Sequence, residues 1–161
     1  FSIDWRTQKL SFNTRMQTYS WGSTVEPLAA VNLCQFGGNL HHYAVKCSKM
    51  TVFELGGETK TFSHLSRDIV VVIDTGLTGC VFSDSWKEIS FFNPMLISGV
   101  NLHLGNDSVT LQSDTKHFSP VCFELPWFND NNHPHIVAAG ATFFQNRRLT
   151  IDLRFEQVYI E

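Results

Sequence analysis

Ile69-Val70-Val71-Val72-Ile73-Asp74-Thr75-Gly76-Leu77-Thr78-Gly79-Cys80-Val81-Phe82-Ser83 says more about the fold than any other stretch of the chain. Five branched aliphatics in a row, closed off by Thr-Gly, predict a strand buried on both faces. A carboxylate at the end of such a strand is held by it, and the glycine two residues on admits another backbone or a ligand. Gly79–Phe82 predicts a second strand, apolar over Cys80–Phe82, so Asp74 belongs to a turn at the rim of a core. In such a place burial and hydroxyl hydrogen bonds act on a carboxyl in opposite directions. Thr75 and Thr78 are the hydroxyls in reach.

Outward from this turn the same β reading repeats. Short apolar-polar segments are predicted as strands at Phe1–Phe12, Ala30–Phe36, His42–Cys47, Lys49–Leu55, Lys60–His64, Val100–Leu104, Ser108–Gln112, Val121–Leu125, Ile136–Ala139 and Leu149–Ile160. Gly37-Gly38-Asn39, Gly56-Gly57-Glu58, Gly105-Asn106-Asp107 and the polar run Asn129–Pro134 punctuate them as turns. The clearest local feature is a hairpin, Met50–Phe53 returning through Gly56-Gly57 to Thr59–Phe62. One short helix is expected at Ser83–Ile89, capped by Ser83. The fold class is therefore all-β, a closed or partly open barrel-like lobe with one or two short helices.

The two ends echo each other. Phe1-Ser2-Ile3-Asp4-Trp5-Arg6 aligns with Leu149-Thr150-Ile151-Asp152-Leu153-Arg154, and each runs into a further apolar segment. Such strands are either pairing partners in one sheet or the closing strands of two copies of one unit.

At 161 residues, residues 1–161 are expected to form a single lobe, with 1–29 as an interlobe strand and linker. The chain is 43% hydrophobic and 17% charged, with 14 Phe and 4 Trp, a globular and β-favouring composition. A net charge of −3 and no basic run beyond Arg147-Arg148 leave no footprint for nucleic acid or an anionic membrane. No apolar run approaches the ~20 residues that span a bilayer. The compartment stays open between secretory, vacuolar and organellar settings. Cys34, Cys47, Cys80 and Cys122 allow two disulfides or none, and Asn106-Asp107-Ser108 is a glycosylation acceptor if the protein is secreted. The first residue is Phe, as in a processed product or a piece of a longer chain.

The segment from Ile69 to Ser83 resembles the active-site turn of pepsin-like and retropepsin-like aspartic proteases: an apolar strand, Asp-Thr-Gly, a hydroxyl residue two positions on, then a second apolar strand. Ile136-Val137-Ala138-Ala139-Gly140-Ala141-Thr142-Phe143-Phe144 resembles the family's second signature, two apolar residues and a glycine before a short helical turn. The last strands and the Tyr43–Phe62 hairpin extend the likeness over roughly residues 40–161, in the order of a C-terminal lobe. The resemblance implies Asp74 as half of a catalytic dyad, Thr75 and Thr78 orienting it, Gly76 admitting substrate backbone and Gly140 supporting the turn from beneath. It implies no cofactor, a peptide or protein substrate, and a second lobe or a homodimer mate to supply the other carboxylate.

Three departures keep another reading open. Ala138-Ala139 stand where the family has a larger residue before the glycine, no flap follows Gly76, and there is one Asp-Thr-Gly where the chemistry needs two carboxylates. A catalytically inactive lobe serving a larger protein assembly would share these traits. Asp4 and Asp152, each near an Arg, are expected in surface salt bridges. His41-His42 and His133-Pro134-His135 are expected to be solvated rather than to bind metal, since no carboxylate or Cys is spaced to complete a site. Trp127-Phe128 is expected to close a core, and Cys80 to be buried.

Overall fold

Why β6 (Ile69–Ile73) has no polar face becomes plain from its neighbours. In the computed structural model, which describes residues 1–12, 27–36, 43–113, 121–123 and 133–161, all five of its side chains are buried. Ile69, Val71 and Ile73 point into the main core, while Val70 and Val72 join a second cluster with Leu33, Ala44 and Ile136. The second face is covered by the 3-10 turn Leu33–Phe36, so the alternation of a half-solvated strand is lost.

β6 lies at the centre of an eight-stranded sheet. Its neighbours are β4 (Ala44–Glu54), antiparallel, and β11 (His135–Ala139), parallel in the register Val137↔Val71 and Ala139↔Ile73. β7 (Cys80–Ser83) flanks β11, and β10 (Val121–Phe123) runs parallel beside β7 at the edge. On the other side β4 pairs with β8 (Ile97–Leu104), which pairs with β9 (Val109–Ser113), while β5 (Thr59–Ser63) folds back on β4. The sheet curls into a half-barrel, and no helix among the described residues reaches seven residues. The all-β, barrel-like expectation holds.

A second sheet of five strands has the order β2 (Lys9–Ser11), β1 (Ser2–Asp4), β12 (Arg148–Asp152), β13 (Gln157–Ile160), β3 (Leu28–Ala29). Here the echo between the two ends is explained: the two copies pair with each other. Ser2 faces its own counterpart Thr150, so a local two-fold axis passes between them. Both hairpins are built alike. Asp4 Oδ1 accepts from the Arg6 and Thr7 amides at 2.9 and 3.3 Å, and Asp152 Oδ1 accepts from those of Arg154 and Phe155 at 3.0 and 3.3 Å. Each turn then ends on a left-handed residue, Gln8 or Glu156.

Several expected elements change. Phe1–Phe12 is a hairpin rather than one strand, because Asp4 turns the chain. His42–Cys47 and Lys49–Leu55 merge into β4, with a bulge between Cys47 and Lys49. Ala30–Phe36 is mostly the 3-10 turn. The expected helix is a single 3-10 turn, Asp84–Glu88, and Ser83 does not cap it. Its hydroxyl instead accepts from the Ile136 amide at 2.9 Å. The expected β4–β5 hairpin forms, in the register Phe53↔Thr59, with Gly57 at φ +85 where a side chain would be strained.

Trp86 anchors the core beneath the 3-10 turn. Its ring meets Phe62 and Phe82 edge-on and Phe92 at 4.9 Å, and its Nε1 donates to Ile136 O at 3.0 Å. Burying one such ring contributes roughly 2–3 kcal/mol, and the indole N–H is satisfied besides. Cys80 is buried as expected, and Cys47 is a buried thiol donating to Lys49 O, its pKa pushed up to about 11 by burial. His41, His42, Trp127 and Phe128, the Gly37-Gly38-Asn39 turn and the side chain of Cys122 lie outside the described residues.

Candidate functional site

Asp74 leaves the end of β6 with its backbone already committed. Its N–H donates to Ala139 O at 3.1 Å, extending the parallel pairing with β11 by one residue, and its C=O accepts from the Leu77 amide at 3.2 Å. The preceding Ile73 N–H donates to Tyr43 O at 2.8 Å. The half-buried side chain then projects at the head of the turn, and Oδ1 accepts from the Gly76 amide at 3.0 Å. Among the described residues Asp74 forms no ion pair, and neither threonine hydroxyl bonds to it; Thr75, Gly76 and Thr78 are exposed. A Cβ on Gly76 would stand 3.3 Å from Asp74 Oδ1, tight against the oxygen its amide serves.

The floor of the turn comes from far along the chain. Beyond β11, the backbone of Gly140–Thr142 runs directly beneath Leu77–Gly79. Gly140 N–H donates to Gly79 O at 2.8 Å, Ala141 N–H to Leu77 O at 2.7 Å and Thr142 N–H to Thr78 O at 3.0 Å. Three successive amides therefore satisfy three successive carbonyls that a bare turn would leave to water. The approach is so close that a Cβ on Gly140 would fall 2.5 Å from Gly79 O and 2.7 Å from Leu77 C, nearer still to Leu77 O. Only glycine fits there. The 3-10 turn Ala141–Phe144 follows at once, with Thr142, Phe143 and Phe144 buried, and the Thr142 hydroxyl shares a 3.1 Å bond with that of Ser113 on β9.

The structure thus brings Asp74, Thr75, Gly76 and Thr78 together on one turn with Gly140 under it. It does not bring Asp4 or Asp152 to them: each carboxylate is bound into its own hairpin turn, and Asp4 pairs with Arg6 at 3.2 Å as expected. Among the described residues no group of three or more His, Cys, Asp or Glu is clustered tightly enough to hold a metal ion, and no helix is long and apolar enough to cross a membrane.

One buried polar group is a correction. His135, expected to be solvated beside His133, is fully buried at the start of β11 because the strand runs straight from Pro134 into the core. Its Nδ1 lies 3.0 Å from Ser85 Oγ, which lies 2.8 Å from Ser83 Oγ, while Nε2 has no partner. The ring packs 5.1 Å from Trp86. Burial, helped by the nearby Arg67 guanidinium, lowers its pKa to about 4. Only the Ser83-x-Ser85 spacing at the end of β7 hinted at such a chain, and hydroxyls spaced so are common on exposed strands.

No protein-family model and no curated protein matches the chain.

Proposed function

We propose that this chain is one lobe of an aspartic-type endopeptidase, with Asp74 supplying one carboxylate of the dyad. The observation that carries the reading is the Gly140–Thr142 backbone bonded under Leu77–Gly79, which fixes a half-buried carboxylate at the mouth of a rigid turn. Such rigidity serves chemistry that depends on placing two carboxylates a few Å apart. In that arrangement the pair shares one proton because like charges so close do not both ionise. The ionised member draws a proton from the attacking water, and the protonated member donates to the scissile carbonyl. Asp74 holds one oxygen on the Gly76 amide and leaves the other for the shared proton or the water. The second carboxylate comes from a second lobe or a second copy of the chain, and an extended peptide lies between the two, with Gly76 leaving room for its backbone.

A second reading, a catalytically inactive lobe that serves as a structural or binding subunit of a larger assembly, is favoured by a different observation. Phe91, Met95 and Leu55 are 82%, 77% and 72% exposed, and Leu55 N–H bonds Leu96 O, which gathers them near one corner. Bulky apolar side chains collected on a surface mark an interaction site.

Native mass measured with all partners retained, followed by hydrolysis of a peptide library from about pH 3 to about pH 7, separates the two. Cleavage by a species with two Asp-Thr-Gly turns, lost in Asp74→Asn, establishes the protease. A complex of unrelated chains without cleavage at any pH overturns it in favour of the subunit.

A further inference from the structure

A cavity of about 520 Å³ opens beside β4, β8 and β9, between them and the 3-10 turn Ala141–Phe144, and reaches down to the buried Ser113, Thr142 and Phe143, in the size range of small-ligand sites. Its floor is ordered by strand register. Asn101 stands opposite Gln112 on one row, and Phe53 stands opposite Gly99 on the next, so an aromatic side chain flanks a hollow where no side chain rises. The far wall is the loop after the 3-10 turn Ala141–Phe144, which brings Gln145, Asn146 and Arg147 to the rim.

Two features set the chemistry. The lining contains no Asp or Glu, but it contains Arg147, whose guanidinium makes no salt bridge among the described residues. Arg147 Nη2 donates to Thr110 O at 3.0 Å, which pins the guanidinium against β9. Gln112 lies two residues from Thr110 along the same strand, hence on the same face. A fixed cation, with no salt-bridge partner among the described residues, therefore stands in one cavity lining with four side-chain amides, each able to donate and to accept, and with the partly exposed ring of Phe53. This is a recognition set for a carboxylate flanked by amide or hydroxyl groups.

The geometry points to a binding site for a small monocarboxylate ligand in this cavity, with Arg147 on the carboxylate and Asn101 and Gln112 on the flanking polar groups. The free C-terminus of a peptide and an acidic sugar both present that chemistry. None of the lining residues belongs to the Asp74 turn, although Thr142 bonds to it from beneath, and the assignment does not depend on any peptidase activity.

The test is a titration of the isotope-labelled chain, followed by backbone and side-chain amide resonances, with three probes: N-acetyl-Gly-Phe bearing a free carboxylate, the same peptide as its C-terminal amide, and glucuronate. Saturable shifts centred on Asn101, Gln112 and Asn146 with a free-carboxylate probe are expected, and the tighter of peptide and glucuronate identifies the source. The C-terminal amide should bind about tenfold or more weakly than the free peptide, as loss of a charge-assisted pair implies. Arg147→Gln should weaken binding to a similar degree. Because Arg147 also holds Thr110, Gln112→Glu on the exposed strand face is the second variant: it keeps the fold and should repel the carboxylate. Equal binding of acid and amide, unchanged affinity in Gln112→Glu, or no saturable shift with either carboxylate overturns the assignment.

Discussion

Replacing His135 should flatten the acid limb of the protein's stability curve. The ring is fully buried, its Nε2 is unpartnered, and its pKa is lowered from 6.5 to about 4. The groups around it are Arg67, which disfavours the charged form, Glu88, which favours it and is itself paired to Arg67, and His133 on the approach to β11. The unfolded chain therefore binds a proton near pH 6.5 that the folded chain refuses until about pH 4. Stability from this group is complete above the unfolded pKa and is lost as pH falls through that window, levelling off below the folded value. At 1.36 kcal/mol per unit the loss is roughly 3 kcal/mol, a large share of the 5–15 kcal/mol typical of a domain.

Urea denaturation at about pH 7, 5.5 and 4 measures this directly, with the wild type compared with His135→Gln. The variant should cost about 1–2 kcal/mol at neutral pH through imperfect packing and a weakened bond to Ser85, yet lose roughly 3 kcal/mol less than wild type on acidification. The two curves must close as pH falls and cross before about pH 4. If they stay parallel between pH 6.5 and about 4, His135 does not titrate across folding as its burial requires, and the reasoning fails.

Two further perturbations address the rest of the structure. Gly140→Ala forces a methyl into the Leu77 and Gly79 carbonyls and should break the three bonds under the turn, costing on the order of 3 kcal/mol by thermal denaturation. If Asp74 is catalytic, activity should fall much further than stability, and an unchanged melting temperature would refute the close approach. Lys60→Met removes the 2.7 Å partner of Glu54, whose side chain is only 5% exposed. An uncompensated buried carboxylate should cost about 2–4 kcal/mol at neutral pH, recovered in large part by adding Glu54→Gln, as a double-mutant cycle would register.

Sequence reading reached what is set locally. The run Val70–Ile73 could hardly be anything but a buried strand, Asp74-Thr75-Gly76 a turn, and Gly56-Gly57 the bend of a hairpin. The likeness between the ends was visible as text and proved to be a pairing, since two strands of the same pattern fit each other across a two-fold axis. What escaped was set by tertiary context. His135 carries no local mark of burial; only the parallel run of β11 against β6 takes it inside. Leu33–Phe36 has strand-like composition but is spent as a lid over Val70 and Val72. Ser83 had the credentials of a cap, and its hydroxyl was claimed by the Ile136 amide from a strand far away in sequence. In the candidate site the residues of the turn were legible, while the donor to the carboxylate, the Gly76 amide rather than a threonine hydroxyl, depended on backbone geometry.

The three amides under the Asp74 turn also dictate when that turn can exist. They belong to residues made long after Asp74 itself, and β11, which leads into them, is a parallel partner of β6 that no hairpin can deliver. Emerging from the ribosome, the chain can first pair β4 with β5, β6 and β8, and β8 with β9, all antiparallel, while β7 waits for β10 and β11. The Leu77–Gly79 carbonyls face water until Gly140–Thr142 arrive, and closure over so long a loop is slow. A nascent or truncated chain lacking those residues thus displays Asp-Thr-Gly as letters without its geometry. The carboxylate acquires a fixed position only when that late segment docks, so whatever chemistry depends on it is withheld from every form of the protein that lacks Gly140–Thr142.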